Sequence, residues 1–179
     1  LTLWLDPGRI KRELIPNQKL GAPLQKGRKY SIAVSGQWES AQGLAINRLH
    51  TKNFITTARD SISPQPLLWK LQLPKEGTLE PLTMTFNEAL DYFLLQETVS
   101  ILNNREEAVK GSIKLSGDEK SLQFVPQQKW QKGKHIIRVA SYLEDLAGNS
   151  IERPFDRDIR LPKTATVKSF IDKEFEVKD

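Results

Sequence analysis

Short runs in which every second residue is apolar recur along this chain, and that period of two restricts its fold more than any other feature. Leu82, Met84 and Phe86 alternate with Thr83 and Thr85. The same pattern appears at Leu1, Leu3 and Leu5, at Tyr30, Ile32 and Val34, and at Trp69, Leu71 and Leu73. It continues at Val99 and Ile101, at Ile113 and Leu115, at Leu122 and Phe124, and at Ile137 and Val139. Successive side chains of a strand point to opposite faces, so each run sets one apolar row against a core and one polar row in water. Turn chemistry bounds the runs at Asn103-Asn104, Gly117-Asp118, Gly133 and Gly148-Asn149. Short strands with turns between them predict an all-β antiparallel sandwich or barrel. Helical signal is confined to Asn87–Leu95, where Asn87 is the expected N-cap and Glu88 favours the first turn. The stretch from Val167 to Val177 reads as a further strand or an extended arm.

A length of 179 residues suits one domain or two small ones. The absence of cysteine excludes disulfides, thiolate catalysis and cysteine-held zinc or iron–sulfur centres. Only His50 and His135 are present, far apart, so a histidine metal site is not expected. The net charge of +5 is uneven: residues 1–60 hold ten Lys/Arg against four Asp/Glu, and the remainder 17 against 18. The basic groups Arg9, Lys11, Arg12 and Lys26, Arg28, Lys29 lack interleaved aromatics or a nucleic-acid motif, so they read as solvated loop faces, with no nucleic-acid partner. The chain opens on Leu1 and its one methionine is Met84, which leads us to expect a piece of a longer polypeptide.

An internal repeat divides the sequence. Leu24-Gln-Lys-Gly27 before Tyr30 matches Trp130-Gln-Lys-Gly133 before His135. At an offset of 105, Tyr30, Ile32 and Val34 fall on His135, Ile137 and Val139, while Glu39, Gly43 and Ile46 fall on Glu144, Gly148 and Ile151. Two prolines make 61–66 the natural linker, because they cannot sit in a central strand. The expected organisation is therefore 1–60 as the C-terminal part of a first copy, 67–162 as a complete copy, and 163–179 as a C-terminal strand or arm.

Taken in order, Leu82-Thr-Met-Thr-Phe86-Asn-Glu88-Ala-Leu90-Asp91, Leu122-Gln-Phe124-Val-Pro126, Trp130-Gln-Lys-Gly133 and Glu144-Asp-Leu-Ala-Gly-Asn149 resemble the bacterial Ig-like domain of S-layer (SbsA type) proteins. The resemblance covers 67–162 in full and 1–60 in part. Asn87, Ala89 and His135 depart from the usual Ser, Pro and Tyr. In the first copy, Ser40-Ala-Gln-Gly43 stands where the family has Asp-x-Ala-Gly. The resemblance implies an antiparallel Ig-like β-sandwich in tandem, the first copy incomplete. It also implies a structural module of a bacterial cell-surface, periplasmic, lipoprotein or secreted protein.

Candidate chemistry is sparse. Glu144, Asp145 and Asn149 surround a glycine turn and offer a calcium alternative, against the simpler reading that Asp145 and Asn149 bond their own backbone. Glu88 and Asp91, three apart, could share a helical face as an acid/base pair, although capping explains them. His135 reads as a strand side chain with a satisfied ring nitrogen, and Trp130 as a core anchor. Trp38 and Tyr142 are the aromatics expected to be exposed, and they support the alternative of a carbohydrate-binding module. No Gly-x-Ser-x-Gly or phosphate loop occurs. We therefore expect no catalytic residue, no cofactor and no enzyme. The expected partners are neighbouring domains of the same polypeptide, cell-surface polysaccharide or protein, and a second copy through a vacant strand edge.

Overall fold

Alternation in the second part of the chain becomes two antiparallel sheets that feed one core. The computed structural model describes residues 11, 14–116, 118–156 and 168–179. The chain divides into two compact units, Leu1–Arg59 and Asp60–Asp179.

In the first unit, helix α1 (Ile15–Leu20) precedes strands β1 (Lys29–Val34) and β2 (His50–Ile55). The strands pair antiparallel with Tyr30 opposite Phe54, and the two rings stack at 5.7 Å. Tyr30, Ile32 and Val34 are the half-buried members of β1, and no described residue of this unit is fully buried. The expected strand Leu1–Leu5 lies outside the described residues.

In the second unit, β3 (Lys70–Gln72), β4 (Leu82–Thr85), β7 (Ser121–Pro126) and β6 (Gly111–Leu115) form one sheet, ordered β3-β4-β7-β6. Strands β5 (Val99–Leu102), β8 (Gly133–Ala140) and β9 (Phe170–Val177) form the other, with β8 central. Every pairing between these strands is antiparallel, while the isolated bridge Lys75–Lys178 is parallel. One cluster joins Met84, Leu122 and Phe124 of the first sheet to Ile101, Ile137, Val139, Phe175 and Val177 of the second. Of the inward residues expected from alternation, Met84, Phe86, Leu122, Phe124, Ile137 and Val139 are buried, and Ile113 is half-buried against them. On the outer face of β8, Arg138 meets its register partner Asp172 in a two-pronged ion pair at 2.7–2.8 Å.

Of the two readings of 163–179, strand or arm, the described part forms a strand, β9, which pairs with β8 along its whole length. One expectation is corrected. The helix is α2 (Tyr92–Thr98), not a turn begun by Asn87. Asp91 is its cap, and its Oδ1 accepts from the amides of Phe93 and Leu94 at 2.9 Å. The helix cannot start earlier because Leu90 bridges to Asp145 and the Asp91 amide donates to the Glu144 carbonyl. Glu88 and Asp91 therefore share no helical face. No helix among the described residues is long and apolar enough to cross a membrane.

Candidate functional site

The loop after β8 is built around a buried carboxylate. Asp145 Oδ1 accepts from the amides of Ala147 (2.7 Å) and Asn149 (2.9 Å), and Oδ2 accepts from Asn149 Nδ2 (2.8 Å). Asn149 Oδ1 in turn accepts from the Phe155 amide at 2.9 Å. Gly148 supplies the left-handed conformation this turn needs, with φ of 81°. The first unit repeats the loop 105 positions earlier. The isolated bridge Glu39–Ala45 corresponds to Glu144–Ser150. The bonds Ser40 N to Leu44 O, Gly43 N to Ser40 O and Ile46 N to Trp38 O correspond to Asp145 N to Asn149 O, Gly148 N to Asp145 O and Ile151 N to Leu143 O. Ser40 Oγ accepts from the amides of Gln42 and Leu44, which stand 105 positions before Ala147 and Asn149.

This geometry rearranges the calcium alternative. Asn149 is engaged within the loop, its oxygen accepting from the Phe155 amide and its nitrogen donating to Asp145. Glu144 lies outside the group of carboxylates that converge. Those are Asp60, Glu88 and Asp145, one oxygen of each lying within 4.8 Å of the others. The Leu90–Asp145 bridge brings Glu88 to the loop. Asp60 Oδ1 accepts from the Ile62 amide at 2.9 Å. Among the described residues, Asp60, Glu88 and Asp145 form the one group of three carboxylates close enough to share a hard cation. Glu88 Oε1 is buried without a hydrogen-bond partner.

Burial, then the charges of Asp145 and Asp60, raise the Glu88 carboxyl above its ordinary range. Burial raises Asp145 as well, against the hydrogen bonds from Asn149 and Ala147 that lower it. Burial also raises Glu144, with Asp91 and Asp145 adding to the effect. A carboxyl with a raised folded-state pKa binds more protons folded than unfolded, so it favours folding increasingly as pH falls through the raised value toward the ordinary range. Asp172 acts in a lower window: its pKa is lowered by the Arg138 hydrogen bond, and its stabilisation is lost as pH falls below the ordinary range. Glu88→Gln is therefore expected to stabilise the protein at pH 7 and to flatten the rise in stability between pH 7 and mildly acidic pH. Urea unfolding of both proteins at a series of pH values measures this, and an unchanged pH slope contradicts it.

The remaining candidates are dispersed. Trp38 and Tyr142 are 51% and 53% exposed and belong to different units, and neither contacts another described ring within its own unit. His50 is exposed and its Nε2 accepts from Arg48 Nε at 3.0 Å. His135 is buried, with Nδ1 3.1 Å from the Gly133 carbonyl oxygen, and Trp130 is buried beside it. No family model matches the chain, and no curated protein matches it. Asp60 is the functional candidate that sequence reasoning missed: it stands 28 residues from Glu88 and 85 from Asp145, and no motif links it to either.

Proposed function

We propose that this chain is a non-catalytic structural and interaction module of a bacterial cell-surface, periplasmic, lipoprotein or secreted protein. It is assembled from tandem Ig-like sandwich domains, the second complete and the first represented by its C-terminal part. The observation that carries this reading is the recurrence of one hydrogen-bonded loop, with the same bridge and the same backbone bonds, 105 residues apart. A stacked ring pair also stands in register across β1–β2, Tyr30 with Phe54, and across β8–β9, His135 with Phe175, although only Tyr30 and His135 keep the offset of 105. Two sheets of four and three strands around a shared core match the strand number of an Ig-type sandwich. In the second unit β8 lies between β5 and β9, whereas β1 pairs with β2 alone among the described residues. Such modules connect or present neighbouring domains of the same polypeptide and carry no reaction of their own.

The test is to express residues 1–60 and 61–179 separately. The longer piece is expected to unfold cooperatively as a monomer. The shorter is expected to remain unfolded or to associate, because a two-stranded hairpin has too little apolar surface to cover. A cooperatively folded, monomeric 1–60 overturns the reading of an incomplete copy.

A further inference from the structure

The converging carboxylates of the second unit come from three segments distant in sequence. Asp60 opens the unit, Glu88 lies between β4 and α2, and Asp145 lies in the loop after β8. One oxygen of each lies within 4.8 Å of the others. Like charges brought this close repel, so the packing of the strands gives no reason of its own to gather them. Burial and the two neighbouring acids hold the Glu88 carboxyl above its ordinary range, as befits a group without a counter-charge.

Each of the three acids also keeps an unfilled acceptor. Glu88 Oε1 is buried and has no hydrogen-bond partner. Buried polar atoms in folded proteins are almost always paired, and an ionised carboxylate oxygen can only accept, so this atom calls for a donor or a cation. The groups that converge on Glu88, Asp60 and Asp145, are themselves acceptors. Asp145 is 4% exposed. Its Oδ1 takes two amides and its Oδ2 one carboxamide proton, which fills three of the roughly four acceptor positions of a carboxylate. Asp60 commits Oδ1 to the Ile62 amide, and its Oδ2 has no partner among the described residues.

We propose that Asp60, Glu88 and Asp145 bind one calcium ion, which ties the start of the second unit to the connection after β4 and to the loop after β8. Calcium takes about six to eight oxygens at roughly 2.3–2.6 Å, so its shell is about 4.6–5.2 Å across. Oxygens within 4.8 Å of one another fit on that shell, and water completes it. Magnesium gathers its ligands at about 2.0–2.1 Å and gives up its water reluctantly, which makes it the weaker competitor. An all-carboxylate donor set does not favour the softer metals, which prefer nitrogen and sulfur. The ion offsets the repulsion among the three acids and supplies the partner that the buried Glu88 oxygen lacks. The proposal goes beyond the tandem-module reading and does not depend on it, because all three residues lie in the second unit.

The experiment strips the full-length chain of metal with EDTA and removes the chelator. It then adds calcium chloride, magnesium chloride or sodium chloride at matched ionic strength and follows binding by calorimetry and thermal unfolding. Calcium is expected to fill one site and, at about a hundred times its Kd, to raise the thermal midpoint by roughly 5–10 °C, with a smaller response to magnesium and none to sodium. Asp60→Asn keeps an acceptor for the Ile62 amide. It is expected to retain at least the parent's metal-free midpoint and to weaken calcium binding about tenfold or more. Glu88→Gln is expected to keep its gain in stability without metal and to lose the calcium response. Glu144→Gln, outside the converging group, is expected to bind calcium as the parent does. No calcium binding, an equal response to magnesium or sodium, or undiminished binding by Asp60→Asn and Glu88→Gln overturns the proposal.

Discussion

Trp130→Ala is expected to lower the stability of the second unit by about 3–5 kcal/mol, read from the urea-unfolding midpoint of the full chain. The indole is 3% exposed and reaches three neighbouring rings, Phe124 at 6.0 Å, His135 at 5.4 Å and Phe175 at 6.1 Å. Phe124 comes from the four-stranded sheet and Phe175 from the three-stranded one, so a single side chain packs against both. Its Nε1 donates to the Glu80 carbonyl at 2.8 Å, and its backbone amide and carbonyl pair with Thr78 and Gly77. Truncation leaves a large cavity and strands the Glu80 carbonyl. Trp130→Phe separates the two effects: it keeps most of the packing and loses the indole bond, at a cost nearer 1 kcal/mol. A loss below about 1 kcal/mol for the alanine variant would show that the sheets pack without this anchor.

How much of this was legible from residues alone depends on whether the relevant contact is local. Alternation in Leu82–Phe86 and Ile137–Val139 reports directly which side chains are inward, because the period of a strand is carried by its own residues. The Gly148 turn is similarly local. The tail was ambiguous for the opposite reason. Phe170–Val177 becomes a strand through β8, thirty or more residues upstream, and nothing in its own sequence names that partner. The helix start shifted from Asn87 to Asp91 through the same kind of distant contact. Both residues are competent caps, and the choice is made by the bridge from Leu90 to Asp145. The candidate site follows the same division. Asp145 and Asn149 are visible as a turn, but the addition of Glu88 and Asp60 to Asp145 is a product of tertiary pairing.

Asn149→Ala is expected to cost about 3–5 kcal/mol, because the residue closes two bonds in a site 1% exposed. Removing its carboxamide takes away the acceptor of the Phe155 amide on one side and the donor to one oxygen of the Asp145 carboxylate on the other. The second loss is the heavier, since a carboxylate oxygen is left buried without its donor beside Asp60, whose charge already opposes it. The first unit supplies the graded control. There Ser40 Oγ takes both loop amides without a carboxylate, at 3.3 and 3.2 Å. Asp145→Ser should therefore keep an acceptor for Ala147 and Asn149, lose the link to Asn149 Nδ2, and remove one of the three converging charges. Its expected cost is about 1–2 kcal/mol, well below that of Asn149→Ala. It should also lower the pH sensitivity attributed to Glu88, whose carboxyl loses the repulsion from Asp145. Urea unfolding of the two variants at neutral and mildly acidic pH measures both effects. If Asp145→Ser proved as damaging as Asn149→Ala, the carboxylate itself, and not the acceptor it presents, would be what holds the loop.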